Sequence, residues 1–212
     1  MNSYLKNLIA EGESQKLDFK FCITDSRKIA RTLSAFSNTG GGRLLIGVRD
    51  NGSIAGIRSD EEIYMVDTAA HLFCRPEIHY TIKQHVAEGK TILEVEVPGG
   101  NERPYQAKDE EGRWRAWIRH GDQNLMANRV IIQVWRKEKR GKGVMVKFGK
   151  AENILMEYLA INGSVTLSKF RKLSGISSSR AESILANLIL FRVLKINASE
   201  KGFLYELAQP VI

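Results

Sequence analysis

The stretch "SAFSNTGGGRLLIGV", Ser34 to Val48, decides how this chain is read. Three glycines stand between a helix-like run and a strand-like run. A phosphate-cradling loop needs the opposite order, strand then glycines then helix, so that the helix amides face the anion. No Gly-Lys-Ser/Thr follows, and a G-x-G-x-x-G spacing is absent. The glycines are therefore expected to end the helix, with Asn38 and Gly40 to Gly42 forming a left-handed cap that reverses the chain. An anion contact through their backbone amides is compatible with that turn but not required by it.

Outward from this point, helical and extended patterns alternate. "SRKIARTLSAFS" places Ile29, Leu33 and Phe36 at helical spacing. "RLLIGV" is apolar and bounded by glycines and "DNG", which predicts a strand entering a hairpin at Asn51-Gly52 and returning as "SIAGI". A helix is expected from about Ile63 to Phe73, ending before Pro76. "IHYTIKQHV" and "KTILEVEVP" form two strands joined at Glu88-Gly89-Lys90. "RWRAWIRHG" supplies a further strand and "MANRVIIQVWRK" a closing helix. The fold class is α+β, with a mixed α/β domain over residues 1–135.

The C-terminal part has a different order. "AENILMEYLAIN" carries Ile154, Leu155, Tyr158 and Leu159 on one side, and Gly163 ends it. "VTLSKFRKLSG" gives a second short helix with Leu167, Phe170 and Leu173 inward. "ISSSRAESILANLILFRVL" opens on serines suited to an N-cap and carries Ile184, Leu185, Leu188 and Ile189 as its core face. Two strands then flank a turn at Lys201 and Gly202. Three helices followed by a hairpin is the order of a winged helix-turn-helix, placed at residues 150–212.

Charge is distributed unevenly. The net charge is +8 over 212 residues. Residues 1–135 hold 18 Lys/Arg against 18 Asp/Glu; Arg136 to Lys150 hold 7 against 1; the remainder holds 7 against 5. The excess thus concentrates in "RKEKRGKGVMVKFGK", expected to be a basic linker over 136–149, and such a segment attracts polyanions. Apolar content of 43% and charged content of 26% suit a globular protein. No apolar run approaches the roughly 18 residues of a membrane span, and no signal peptide is evident. Two cysteines, Cys22 and Cys74, are too few for a disulfide framework, so a cytoplasmic setting is expected. His71, His79, His85 and His120 lack metal-ligand spacing and are expected to be ordinary core or surface residues.

"GESQKLDFK", "LSAFSNTGGGRLLIGVRDNGSIAGI", "RPEI", "ILEVEVPGGNERPYQ" and "AWIRHGDQNLMAN" together resemble the Schlafen AlbA-2 domain, in that domain's order. The resemblance implies an α/β nucleic-acid-binding domain, in bacteria often joined to a helix-turn-helix region and described as a transcriptional regulator. Animal relatives include RNA-cleaving enzymes that use acidic residues and a lysine. Carried over, that cluster is Glu13, Asp18 and Lys20, with Asp50 as a further acid; Asp18 stands where the family usually carries Glu. In a nuclease, such carboxylates would hold Mg²⁺ or Mn²⁺ to activate water, while the lysine supports the phosphate. Asp50 in "RDNG" also has a full explanation as a turn residue.

Two further surfaces suit nucleic acid. Alternation in "RWRAWIRH" puts Arg113, Arg115 and Trp117 on one strand face, continued by Arg119. In the C-terminal part, Ser178, Ser179, Arg180 and Ser183 at the start of the third helix would reach base edges. Arg171, Lys172 and the turn residue Lys201 would hold phosphates, and Arg136, Lys137, Lys139, Arg140 and Lys142 of the basic segment would add to them. The expected activity is non-catalytic recognition of duplex DNA, with RNA as another possible partner of the first domain. The alternatives are a metal-dependent endoribonuclease and a ligand-sensing or dimerisation module that forms a homo-oligomer.

Overall fold

In the computed structural model, which describes residues 3–140, 148–199 and 201–208, the chain divides into two units, 1–126 and 127–212. The first contains α1 (Ser3–Glu11), β1 (Leu17–Lys20), α2 (Ser26–Asn38), β2 (Gly41–Ile46), α3 (Glu61–His71), β3 (Cys74–Arg75), β4 (Thr81–Ala87), β5 (Lys90–Pro98), β6 (Gln106–Lys108), β7 (Trp114–His120) and β8 (Gln123–Met126). Two four-stranded sheets result, ordered β1-β2-β5-β4 and β3-β6-β7-β8. Mixed α+β architecture is what the alternating patterns predict.

α2 carries the first unit. Asp25 starts it by accepting the Arg27 N–H at 2.8 Å. Its apolar side, Ile29, Ala30, Leu33 and Phe36, packs on Leu44, Ile46, Leu93, Val95 and Val97 of the first sheet. Its other side meets the second sheet, which is why residues as polar as Thr32, Ser34 and Asn38 are buried there. Asn38 Nδ2 donates to Tyr105 O at 2.7 Å and Trp117 O at 2.8 Å, while its Oδ1 accepts the Tyr105 N–H at 2.9 Å. Ser34 Oγ donates to Tyr105 O, and Asn124 donates to Thr32 Oγ1. Buried polar groups of the helix thus satisfy the strands' backbone, as burial demands.

Asn38 is consequently the last helical residue rather than part of a left-handed cap. The positive φ angles fall on Gly40 (+89°) and Gly41 (+84°). A Cβ at Gly41 would stand 2.7 Å from Val97 O, and one at Gly42 would stand 2.4 Å from the Phe36 ring. The triple glycine therefore lets the turn lie against the end of β5. The expected hairpin after β2 reduces to one bridge, Val48 with Ile54. Both edges of β2 are already taken, by parallel β1 and antiparallel β5, so no edge is left for a returning strand.

The face of the first sheet away from α2 is covered by α1, with Leu5 and Leu8 packed on Leu17, Phe19, Leu45 and Ile92.

The second unit contains α4 (Arg129–Arg140), α5 (Lys150–Asn162), β9 (Ser164–Val165), α6 (Leu167–Ser174), α7 (Ser178–Leu190), β10 (Leu194–Ser199) and β11 (Gly202–Leu207), with a sheet ordered β10-β11-β9. Thr166 caps α6, Gly175 ends it at φ +65°, and Ser177 caps α7. Leu155, Leu159, Phe170, Leu185, Leu188 and Tyr205 form its core. Leu173, expected inward, is exposed.

α4 belongs with this second unit, whereas its sequence position suggested the close of the first domain. Val130 and Val134 pack into the core of α5 to α7, and Asn128 both caps α4 at Ile131 N and donates to the Tyr205 hydroxyl. Of the basic stretch expected to be linker, Arg136 to Arg140 form the last turns of α4, while residues 141–147 lie outside the described residues. Cations there complement the negative end of the helix dipole. No helix among the described residues is long and apolar enough to cross a membrane.

Candidate nucleic-acid interface

Glu13, Asp18 and Lys20 do come together. Asp18, at 2% exposure, receives Arg119 Nη2 at 3.1 Å on Oδ1. Its Oδ2 faces Lys20 Nζ at 2.8 Å as an ion pair outside hydrogen-bond geometry. Glu13 accepts the Phe19 N–H at 2.9 Å. Burial, and then the neighbouring Asp18, push the Glu13 carboxyl up despite that bond. Asp50 lies exposed in the Arg49–Gly52 turn. Among the described residues no three His, Cys, Asp or Glu side chains are grouped to hold a metal ion. The donor set also fits a divalent ion poorly, because Asp18 is already matched by two cations.

Arg119 is the hub of this region. Besides Asp18 it donates to Ser14 O, Leu17 O and Asn124 Oδ1 at 3.0–3.2 Å, and it lies over the Phe36 ring. Its own carbonyl and the Gly121 N–H hold Gln15. The guanidinium is thus enclosed, and the expected basic face of β7 is divided. Arg113 and Arg115 reach Asp109 at 2.9 and 3.5 Å. Desolvation pushes the Asp109 carboxyl up, but the Arg113 amide and the two guanidiniums outweigh it and hold it at about 2. Trp117 packs on the α2 core with Arg31 stacked 4.4 Å over it. Alternation carries no information on the carboxylates that oppose these arginines.

Two clusters escaped the sequence reading. On the α1 face of the first sheet, buried Glu94 accepts from Tyr4 Oη at 2.5 Å, lies 2.7 Å from His85 Nε2 and pairs with Arg43 at 3.2 Å. At the ends of β1 and β2, Arg49 and Arg58 lie 4.8 and 5.3 Å over the ring of Phe21, which is 39% exposed. "HYTIKQHVAEGKTILEVEV" gives away the first only through a glutamate inside an apolar strand. Nothing in the sequence links Phe21 to residues 49 and 58.

In the second unit, Arg171, Lys172, Ser179, Arg180 and Lys201 are exposed and Ser178 is half-buried. None of these cations pairs with a carboxylate among the described residues. Ser183 differs. Helical spacing turns residues 182, 183, 186 and 187 away from the core side of α7, yet Glu182 and Ala186 are buried, because α4 lies over them. Gln133 donates to Glu182 at 3.3 Å, and Lys137 Nζ donates to Ser183 Oγ at 3.2 Å and to Asn187. Burial, then Arg140, lowers the Lys137 pKa. Lys137 is thus a packing contact, while Arg136, Lys139 and Arg140 are exposed. Lys142 lies outside the described residues.

Comparison with known proteins agrees with the first unit's signature. None of the curated proteins compared matches the chain. Among solved structures, the crystal structure of the DIP2311 protein from Corynebacterium diphtheriae is similar at TM-score 0.46 and 19% identity, over 94% of this chain and 37% of that one. This chain therefore spans little more than a third of that protein. The solution structure of the N-terminal domain of a RecG-related protein from Nitrosomonas europaea is similar at TM-score 0.41 and 22% identity, over 61% of this chain and 97% of that one. The Schlafen, AlbA_2 family model matches residues 13–128, from Glu13 to the residue before α4. The chain belongs to the Schlafen AlbA_2 family.

Proposed function

We propose that this protein binds nucleic acid without cleaving it and acts as a DNA-binding transcriptional regulator, its C-terminal unit serving as a winged helix. One observation carries the reading: Arg171 and Lys172 in the last turn of α6 and Arg180 in the first turn of α7 flank the α6–α7 junction, are exposed, and pair with no carboxylate among the described residues. A helix N-terminus carries partial positive charge, and with free cations beside it this junction suits a phosphate backbone. The β10–β11 turn adds Lys201. Family membership and the net charge of +8 support the same partner.

The contact with α4 narrows the mode of recognition. The middle of α7 is covered, so base contacts come from its first turn, Ser178, Ser179 and Arg180, and Ser183 is not among them. The test is duplex DNA binding by the full chain at two salt concentrations. Arg171→Gln, Lys172→Gln and Arg180→Gln together should weaken binding and reduce the log–log salt slope by about 2.7, or about 0.9 for each lost phosphate contact. Intact binding by that variant, or cleavage of the DNA, would overturn the reading.

A further inference from the structure

The first unit, residues 1–126, holds 17 Lys/Arg against 18 Asp/Glu, and Arg115 and Arg119 of β7 are matched by Asp109 and Asp18. Arg49 and Arg58 are different. Neither pairs with a carboxylate among the described residues, although Asp50 adjoins Arg49. Both lie over one exposed ring, Phe21. Two guanidiniums held at one ring repel each other unless an anion joins them.

The backbone builds this cluster from three separate segments. Gly47 and Val48 N–H both donate to Lys20 O, which brings the chain after β2 beside Phe21. Ala55 and Gly56 N–H donate to Gly47 O, which folds the next segment back. Glu62, at 3% exposure, then accepts the Ile23 N–H and the Arg58 N–H, each at 2.8 Å, one on each oxygen. One buried carboxylate thereby ties the backbone at Arg58 to the backbone at Ile23, two residues after Phe21.

We infer that Phe21, Arg49 and Arg58 form a binding site for single-stranded nucleic acid on the first unit. A phenyl ring flanked by guanidinium planes offers flat surfaces on which an unpaired base stacks, and the same guanidiniums donate to the phosphates beside it. A duplex keeps its bases in its own stack and offers no such face. The cluster is an open surface, which suits a strand passing over it. This site goes beyond the duplex reading of the second unit and does not rest on it.

The test is fluorescence anisotropy of the full chain with a short labelled single strand, once as oligouridine and once as oligothymidine, at two salt concentrations. Phe21→Ala should weaken binding at least about fivefold, the low end for loss of one base–aromatic stack, and Phe21→Tyr should restore it. Arg49→Gln with Arg58→Gln should reduce the salt slope by about 1.4. The second-unit variant that loses duplex DNA should keep the single strand. Loss only with oligouridine assigns the site to RNA, and equal loss assigns it to either strand. The inference fails if the parent chain binds neither strand. It also fails if Phe21→Ala binds as the parent does, or if single-strand binding is lost with Arg171, Lys172 and Arg180 instead.

Discussion

Arg119 Nη2 stands 3.1 Å from Asp18 Oδ1, and both side chains are closed off from solvent. The pair joins β7 of one sheet to β1 of the other, and Arg119 adds the carbonyls of Ser14 and Leu17 to the same grip. Replacing Arg119 by Met strands a buried carboxylate with Lys20 alone. The first unit should lose about 3–5 kcal/mol, read as a lower urea midpoint. Arg119→Lys should not rescue it, since one ammonium cannot supply the planar set of donors.

Asn38 offers a second measurement. Its buried amide holds backbone groups of the half-buried Tyr105 and Trp117. Asn38→Leu leaves them without that partner at about 1–3 kcal/mol each. Hydrogen exchange at the Tyr105 amide should accelerate first. Unchanged protection there would show that the strand is held by something else.

The glycine turn separates two kinds of substitution. Gly41→Ala meets both a left-handed φ and the Val97 carbonyl at 2.7 Å. Gly121→Ala meets only the φ of +58°, in open space. The second should cost about 1–2 kcal/mol and the first clearly more, compared by thermal unfolding. Equal losses would mean that the contact with β5 is easily relieved.

Acid stability follows from Asp109 and Glu94. Both carboxyls lie below their ordinary values in the folded chain: Asp109 at about 2 because the Arg113 and Arg115 contacts outweigh desolvation, and Glu94 because the Tyr4 and His85 bonds outweigh burial. Their contribution is complete above the ordinary values of 3.8 and 4.5 and is lost as pH falls through the folded ones. Tyr4 is raised above 10.0, by burial and then by Glu94, so its share is complete below that pH and is lost above it. Glu94→Gln should flatten the pH dependence at both ends in unfolding titrations. A curve parallel to the parent's would argue against the network.

Periodicity sets how much of this fold is legible in the sequence. The helix at Ile29, Leu33 and Phe36, the strands on either side of Glu88-Gly89, and the apolar faces of α5 and α7 can be read because local spacing reports which side is buried. Spacing does not report the partner. The amphipathic pattern of "RVIIQVWRK" says that Val130 and Val134 are covered, but not that α7 covers them. In the same way "WRAWIRH" displays arginines without the Asp109 and Asp18 that neutralise them. The acid–lysine cluster is visible only through family resemblance. Phe21, Arg49 and Arg58 are beyond reach, since only the sheet register brings them together.

The packing of α4 also bears on how such genes can be joined. The family segment ends at residue 128, one residue before the helix begins, and the helix completes the core of the second unit. A fusion made after Met126 transfers the first unit whole and leaves its former neighbour intact. One made after Trp135 carries Val130 and Val134 away from Ala181 and Leu185, so both recombination products acquire uncovered apolar surface. The seam between the two units is therefore also the breakpoint at which either can acquire a new partner without repair.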